Sequence, residues 1–180
     1  MKQSVLSSKR ILAVDDEEDV LDTIAEALEI AAVDRAQDFK TAVKKISQNQ
    51  YDLAILDIMG VDGLTLLDKT VEKGIPTVML TAHALNAETL LASVRKGAIS
   101  YLPKEKLAEI DQILNDLLAA QAAGEPTWKL LFEKLGDFFD EKFGPGWVAQ
   151  IFKSGAVISL PPYGDRTFPE NCARPRCYGG

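Results

Sequence analysis

The chain has 180 residues, a formal net charge of −7 at pH 7 and 47% hydrophobic residues, which describes an acidic globular protein of one domain plus an appendage, or of two very small domains. Charged residues at 26% argue against wholesale disorder, no stretch approaches the roughly 20 apolar residues that cross a bilayer, and the acidic balance disfavours broad attraction to DNA or anionic lipid. Met1–Ser8 lacks the apolar core of a secretory signal, and both cysteines, Cys172 and Cys177, lie near the C-terminus, where they cannot staple the chain as a whole. A soluble cytoplasmic protein without a membrane partner is expected. The Cys-x4-Cys pair reads as two free thiols, since a structural zinc site normally takes four ligands.

In chain order, short continuous apolar runs alternate with segments of helical spacing. The runs are Ile11–Val14, a weaker one at Ile30–Val33, Leu53–Leu56, Val78–Leu80 and Ala98–Ile99. Runs without polar alternation suit strands buried on both faces of a parallel sheet. After them come Val20, Ile24 and Leu28; Phe39, Val43 and Ile46; Leu64, Leu67 and Val71; Leu90, Leu91 and Val94; and Leu107, Ile110, Leu114 and Leu117. Five successive βα units imply right-handed crossovers and an open sheet covered by helices.

All strands of such a sheet end at one edge, where chemistry collects. The first run leads into Asp15 and Asp16, the third into Asp57 and the fourth into Thr81, while the fifth reaches Lys104. Three carboxylates in one cleft repel unless a cation intervenes. Mg²⁺ fits best, because it takes oxygen ligands and retains waters that a phosphate oxygen can replace. With a lysine and a hydroxyl facing the same point, the residues spell a carboxylate–Mg²⁺–phosphate site.

Four motifs in this order, Ile-Leu-Ala-Val-Asp15-Asp16-Glu17, Leu-Ala-Ile-Leu-Asp57-Ile-Met, Val-Met-Leu-Thr81-Ala82 and Tyr101-Leu-Pro-Lys104, resemble the receiver domain of two-component response regulators. The resemblance covers about residues 9–123. It implies an α/β, flavodoxin-like (CheY-like) doubly wound sheet of five parallel strands in the order 2-1-3-4-5. It also implies roles: Asp57 as the acceptor of a phosphoryl group from a sensor histidine kinase or phosphotransfer protein, and Mg²⁺ held by Asp16, Asp57 and the backbone carbonyl of Met59, with Asp15 holding a bound water. Lys104 would pair with the phosphoryl oxygens. Thr81 would hydrogen-bond one of them, and Tyr101 would turn inward as Thr81 moves, repacking the face of the fourth helix, fifth strand and fifth helix.

The sequence departs from that pattern in places. The Asp57–Gly63 loop is about two residues short and lacks the usual proline, and Glu105 follows Lys104 where most members carry proline. Met59 offers no polar side chain to position an attacking water, so a long-lived phosphoryl-aspartate is expected. His83, the one histidine, reads as a residue at the edge of the site. No independent enzyme activity is expected beyond self-phosphorylation from small phosphodonors and slow autodephosphorylation. A dehalogenase-type phosphatase would need an acid where Met59 stands.

Composition divides the chain into a receiver over residues 1–123, a linker at 124–126, an amphipathic helical extension over 127–152 and an irregular Pro/Gly-rich tail at 153–180. Ten of the thirteen aromatics fall after residue 126. Over 127–143, helical spacing puts Trp128, Leu131, Phe132, Leu135, Phe138, Phe139 and Phe143 on one side, a stripe too large to leave in water. It folds back on its own receiver or pairs with another molecule; a helical hairpin with Trp147–Phe152 is the preferred form, with a homodimer through the fifth helix and this helix as a partner. The stretch 127–152 lacks a basic recognition helix, so DNA binding is not expected. The reading is a phosphorelay response regulator that switches contacts with a downstream protein target. The alternative is an unphosphorylated, receiver-like assembly module that dimerises through the aromatic helix.

Overall fold

The computed structural model describes residues 4–82 and 87–144. Five parallel strands, β1 (Arg10–Val14), β2 (Ala32–Ala36), β3 (Leu53–Asp57), β4 (Thr77–Thr81) and β5 (Ser100–Pro103), form one sheet in the order β2-β1-β3-β4-β5. Between them run α1 (Glu18–Ala27), α2 (Phe39–Gln48), α3 (Gly63–Glu72) and α4 (Ala87–Lys96). A 3₁₀ segment (Lys104–Glu109) leads into α5 (Ile110–Ala122), and α6 (Thr127–Phe143) follows. The open sheet covered by helices is the one the alternating pattern implies, and its strand order is the one the resemblance implies. His83, Trp147–Phe152, Cys172 and Cys177 lie outside the described residues.

The three inner strands explain the unbroken apolar runs. Ile11–Val14, Leu53–Leu56 and Val78–Leu80 are buried, because helices cover both faces of the sheet there. Two strands differ from the apolar runs. β2 begins at Ala32 and carries Asp34 and Arg35, since an edge strand needs only one well-covered side. There Asp34 accepts from the Tyr51 hydroxyl at 2.7 Å and from Arg10 at 2.8 Å. β5 begins at Ser100; Ala98 and Ile99 are buried but form the entry from Gly97, whose φ of 100° ends α4.

Local chemistry sets the helix starts that flank the sheet's C-terminal edge. Asp38 caps α2, its carboxylate accepting from the Thr41 amide at 2.8 Å and the Thr41 hydroxyl at 2.7 Å. Those bonds hold its pKa below the ordinary carboxylate value. Glu18 and Asp19 occupy the first turn of α1, where the helix dipole favours negative charge. α5 stops at Gly124 (φ 71°), with the Glu125 amide reaching back to the Ala120 carbonyl at 2.8 Å.

α6 turns back onto its own chain and packs on β5 and α5. Leu131, Leu135 and Phe139 join the core of the sheet domain, and Leu130 and Phe138 lean on it half-buried. Fold-back is thus the outcome observed of the two left open by the sequence. No helix among the described residues is long and apolar enough to cross a membrane.

Candidate functional site: a carboxylate cluster at the sheet edge

Parallel strands bring the candidate residues together at one end of the sheet. Asp15 follows β1, Asp57 ends β3, Thr81 ends β4, and Lys104 follows β5. Carboxylate oxygens of Asp15, Asp16 and Asp57 all lie within 4.8 Å of one another. Asp15 and Asp57 are buried, whereas Asp16 is exposed.

Lys104 bridges this cluster. Its Nζ stands 2.8 Å from Asp15 Oδ2, 3.1 Å from Asp15 Oδ1, 3.2 Å from Asp57 Oδ1 and 2.7 Å from Glu17 Oε1. Burial alone would pull the ammonium pKa down, but the hydrogen bonds to Asp15 and Glu17 and the charges of Asp57 and Asp15 hold it above its ordinary value. Asp15 moves the other way. Burial raises its pKa, and the charge on Asp57 adds to that, against the Lys104 hydrogen bond and the Glu17 amide. Two buried carboxylates thus depend on one cation, and a further positive charge would relieve both.

Three features show that the residues fit a divalent cation. The donor set is all oxygen, as hard cations require. Asp15 Oδ2 is fully buried and has no aligned hydrogen-bond donor among the described residues, although Lys104 approaches it ionically. A Cβ on Gly60 would fall 1.9 Å from Asp16 Oδ1, so the bare backbone there leaves the Asp16 carboxylate its place.

The short loop after β3 is built around Asp57. Its Oδ2 accepts from the Met59 amide at 3.1 Å and from the Gly60 amide at 2.8 Å, leaving Oδ1 toward Lys104. The loop turns into α3 through Asp62, in the left-handed region (φ 52°, ψ 53°), and Gly63. A side chain at Gly63 would meet the Asp57 carbonyl oxygen at 2.0 Å, so only glycine lets α3 start that close to the strand end. Met59 is 79% exposed.

Thr81 is buried at the end of β4, its hydroxyl donating to the Ala82 carbonyl at 3.1 Å. Tyr101 is fully buried, packed 6.3 Å from the Phe139 ring. Its hydroxyl is buried beside the Thr81 hydroxyl, without an aligned hydrogen bond among the described residues. Burial pushes its pKa up to about 12, the charge of Asp57 adding and the Thr81 hydroxyl opposing. Two participants carried no assigned role in the sequence reading. Glu17 was visible only as a third acid after the Asp pair, and its partner is 87 residues away. Gly60 had no signal except the shortness of its loop.

The geometry defines a doubly wound domain with an acidic, lysine-bridged cleft at the sheet's C-terminal edge. Residues 11–115 match the family model described as the response regulator receiver domain, and the chain belongs to that family. It is similar to "Transcriptional regulatory protein CutR" of Streptomyces coelicolor, 38% identical over 101 residues, covering 53% of this chain and 46% of the relative. It is also similar to "Response regulator MprA" of Mycolicibacterium vanbaalenii, 32% identical over 127 residues, covering 64% and 54%. The chain therefore spans about half the length of the curated relatives it matches. Among solved structures, a CheY-like receiver domain protein from Methanospirillum hungatei aligns with a TM-score of 0.53 and 30% identity, over 61% of this chain and 95% of that one. The expectation of no DNA binding finds no support in these likenesses, because the first relative is named as a transcriptional regulator.

Proposed function

We propose that the chain is the phosphoacceptor of a two-component phosphorelay, taking a phosphoryl group on Asp57 from a sensor histidine kinase or phosphotransfer protein. The observation that carries this is Asp57 itself. One of its oxygens is fixed by two backbone amides and the other faces Lys104 within a three-carboxylate cluster. An Asp57 oxygen forms the new P–O bond as the phosphoimidazole P–N bond breaks, and the departing imidazole nitrogen takes up a proton. In this reading Lys104, which approaches Asp57 Oδ1 at 3.2 Å, pairs with the phosphoryl oxygens, and Thr81 turns its hydroxyl from the Ala82 carbonyl to donate a hydrogen bond to one of them. The backbone amides fix the Asp57 carboxylate, so the protein's part is positioning and charge stabilisation. Mg²⁺, held by Asp16, Asp57 and the Met59 carbonyl with Asp15 acting through a bound water, would supply neutralisation of charge developing on the phosphoryl group.

Phosphorylated Asp57 carries added charge and acceptor oxygens beside Thr81. Tyr101 lies between Thr81 and Phe139, so a shift of Thr81 reaches α6 through one buried ring, and protein contacts at that surface are the proposed output. The chain acts in the cytoplasm, where its kinase partner presents the phosphohistidine, and performs no turnover on a separate substrate.

The test is intact mass after incubation with acetyl phosphate and Mg²⁺. One phosphoryl group is expected on the wild-type chain and none on Asp57→Ala; a wild-type chain that stays unmodified while binding Mg²⁺ would reverse the reading in favour of an assembly module. A second expectation follows from the loop. Gly60→Ala displaces the Asp16 carboxylate rather than the backbone, so affinity for Mg²⁺ should fall by about 10–100-fold, the usual cost of disturbing a ligand's support, with little change in melting midpoint. Isothermal titration beside a thermal melt checks both halves.

A further inference from the structure

An ammonium has three N–H groups to donate. Those of Lys104 face three carboxylates, Glu17 at 2.7 Å, Asp15 at 2.8 Å and Asp57 at 3.2 Å. A phosphoryl oxygen that comes to pair with Lys104 must displace one of these partners. Asp15 is fully buried, so water cannot stand in for the ammonium there. Asp57 is the acceptor itself. Glu17 stands at the rim, its side chain 61% exposed against 13% for Lys104. Water can take over its oxygens, so the Glu17 bond is the one that yields.

The local structure holds Glu17 in this place. It is the N-cap of α1, a position where a side-chain oxygen ordinarily accepts from the first helical amides. Glu17 makes no such capping bond. Its amide instead donates to Asp15 Oδ1 at 3.0 Å, which ties its backbone to the cluster, and its carboxylate reaches across to Lys104. A pair with one exposed partner adds little to folding. Its effect falls on whether the lysine is available to an incoming phosphoryl group.

We infer that Glu17 sets the choice of phosphodonor, favouring donors whose leaving atom is a protonated nitrogen over anhydrides that expel a carboxylate. It does so as a positioning residue, through Lys104, and the inference rests on the phosphoacceptor reading above. Once Lys104 turns to the phosphoryl group, Glu17 is left as a bare carboxylate at the rim, so its charge acts at the step where the leaving group departs. With phosphohistidine or phosphoramidate, the Asp57 O–P bond forms as the P–N bond breaks. The electron pair leaves on a nitrogen that carries a proton, and a nearby carboxylate opposes neither the approach nor the departure of that group. With acetyl phosphate, the P–O bond breaks and its electron pair leaves on acetate, an anion that Glu17 repels.

The test compares phosphorylation rates with acetyl phosphate and with phosphoramidate, followed by intact mass on the full-length chain in saturating Mg²⁺. Glu17→Gln is expected to raise the acetyl phosphate rate relative to the phosphoramidate rate by about threefold to tenfold, the scale of one charge acting across a short span of water. Glu18→Gln removes a neighbouring exposed charge outside the Lys104 pairings and should leave the ratio unchanged. A second arm needs no phosphorylation. Acetylation of Lys104 by sulfosuccinimidyl acetate in metal-free buffer, read by peptide mass, should quicken by about threefold in Glu17→Gln and not in Glu18→Gln. An unchanged donor ratio in Glu17→Gln, an equal shift in Glu18→Gln, or unchanged Lys104 acetylation overturns this inference alone. No phosphoryl group on any chain from either donor brings down the phosphoacceptor reading with it.

Discussion

Replacing Lys104 by alanine is expected to cost about 3–5 kcal/mol of stability in metal-free buffer at neutral pH, the usual penalty for leaving a buried charge without its partner. The cost is large because the lysine serves Asp15 and Asp57 together, both almost fully buried. Glu17 contributes little, since it is exposed and water can take over. The pH dependence separates this account from a simple loss of packing. Asp15 already has a folded-state pKa above its ordinary value, so the folded state holds a proton that the unfolded state gives up. Its contribution is fully present below the ordinary carboxylate range and is lost as pH rises through the raised value. Removing Lys104 removes a group that lowers that pKa, which widens the window. The deficit of the Lys104→Ala chain should therefore be small near pH 4 and grow toward pH 8. Millimolar Mg²⁺ should recover much of it, because a cation binding only the folded cluster stabilises by mass action. Urea unfolding at several pH values, with and without Mg²⁺, measures each part. A deficit independent of pH and of Mg²⁺ would assign Lys104 to packing alone.

The same residues show how far a sequence can be read into a site. Asp15, Asp57, Thr81 and Lys104 were legible because parallel strands end together, so a chemical residue after each apolar run must reach one edge. Burial on both faces made β1, β3 and β4 plain, whereas β2 carries Asp34 and Arg35 within an edge strand and β5 starts only where the Ala98–Ile99 run ends. Glu17 acquires its partner only through folding, across 87 positions. Gly60 matters for the atom it lacks, and no periodicity reports an empty Cβ position. The amphipathic stripe of α6 announced that it must be buried, but a stripe carries no address. Whether Leu131, Leu135 and Phe139 meet their own receiver or another molecule depends on the turn at Gly124 and on the surface offered by β5 and α5.

Phe139→Ala is the change expected to disturb that surface most. Emptying a fully buried phenylalanine site costs about 3–5 kcal/mol when the surroundings cannot collapse. Here the surroundings include a helix that can leave. With Gly136 in its middle and no side-chain cap, α6 has little stability of its own to set against the cavity, so release of the helix limits how much the rest of the chain loses. The expected result is therefore local. Amides of residues 127–143 should lose hydrogen-exchange protection, while those of β1, β3 and β4 keep theirs. The surface-sensitive slope of the denaturation curve should fall, because part of the apolar area is already exposed before the main transition. Tyr101 would lose the ring beside it and gain access to solvent, which its raised pKa would report by moving back toward the ordinary phenol value as burial, its main cause, is relieved. If Phe139→Ala instead shifts one cooperative transition by the full cavity cost, with α6 protected up to global unfolding, the helix belongs to the receiver's own folding unit.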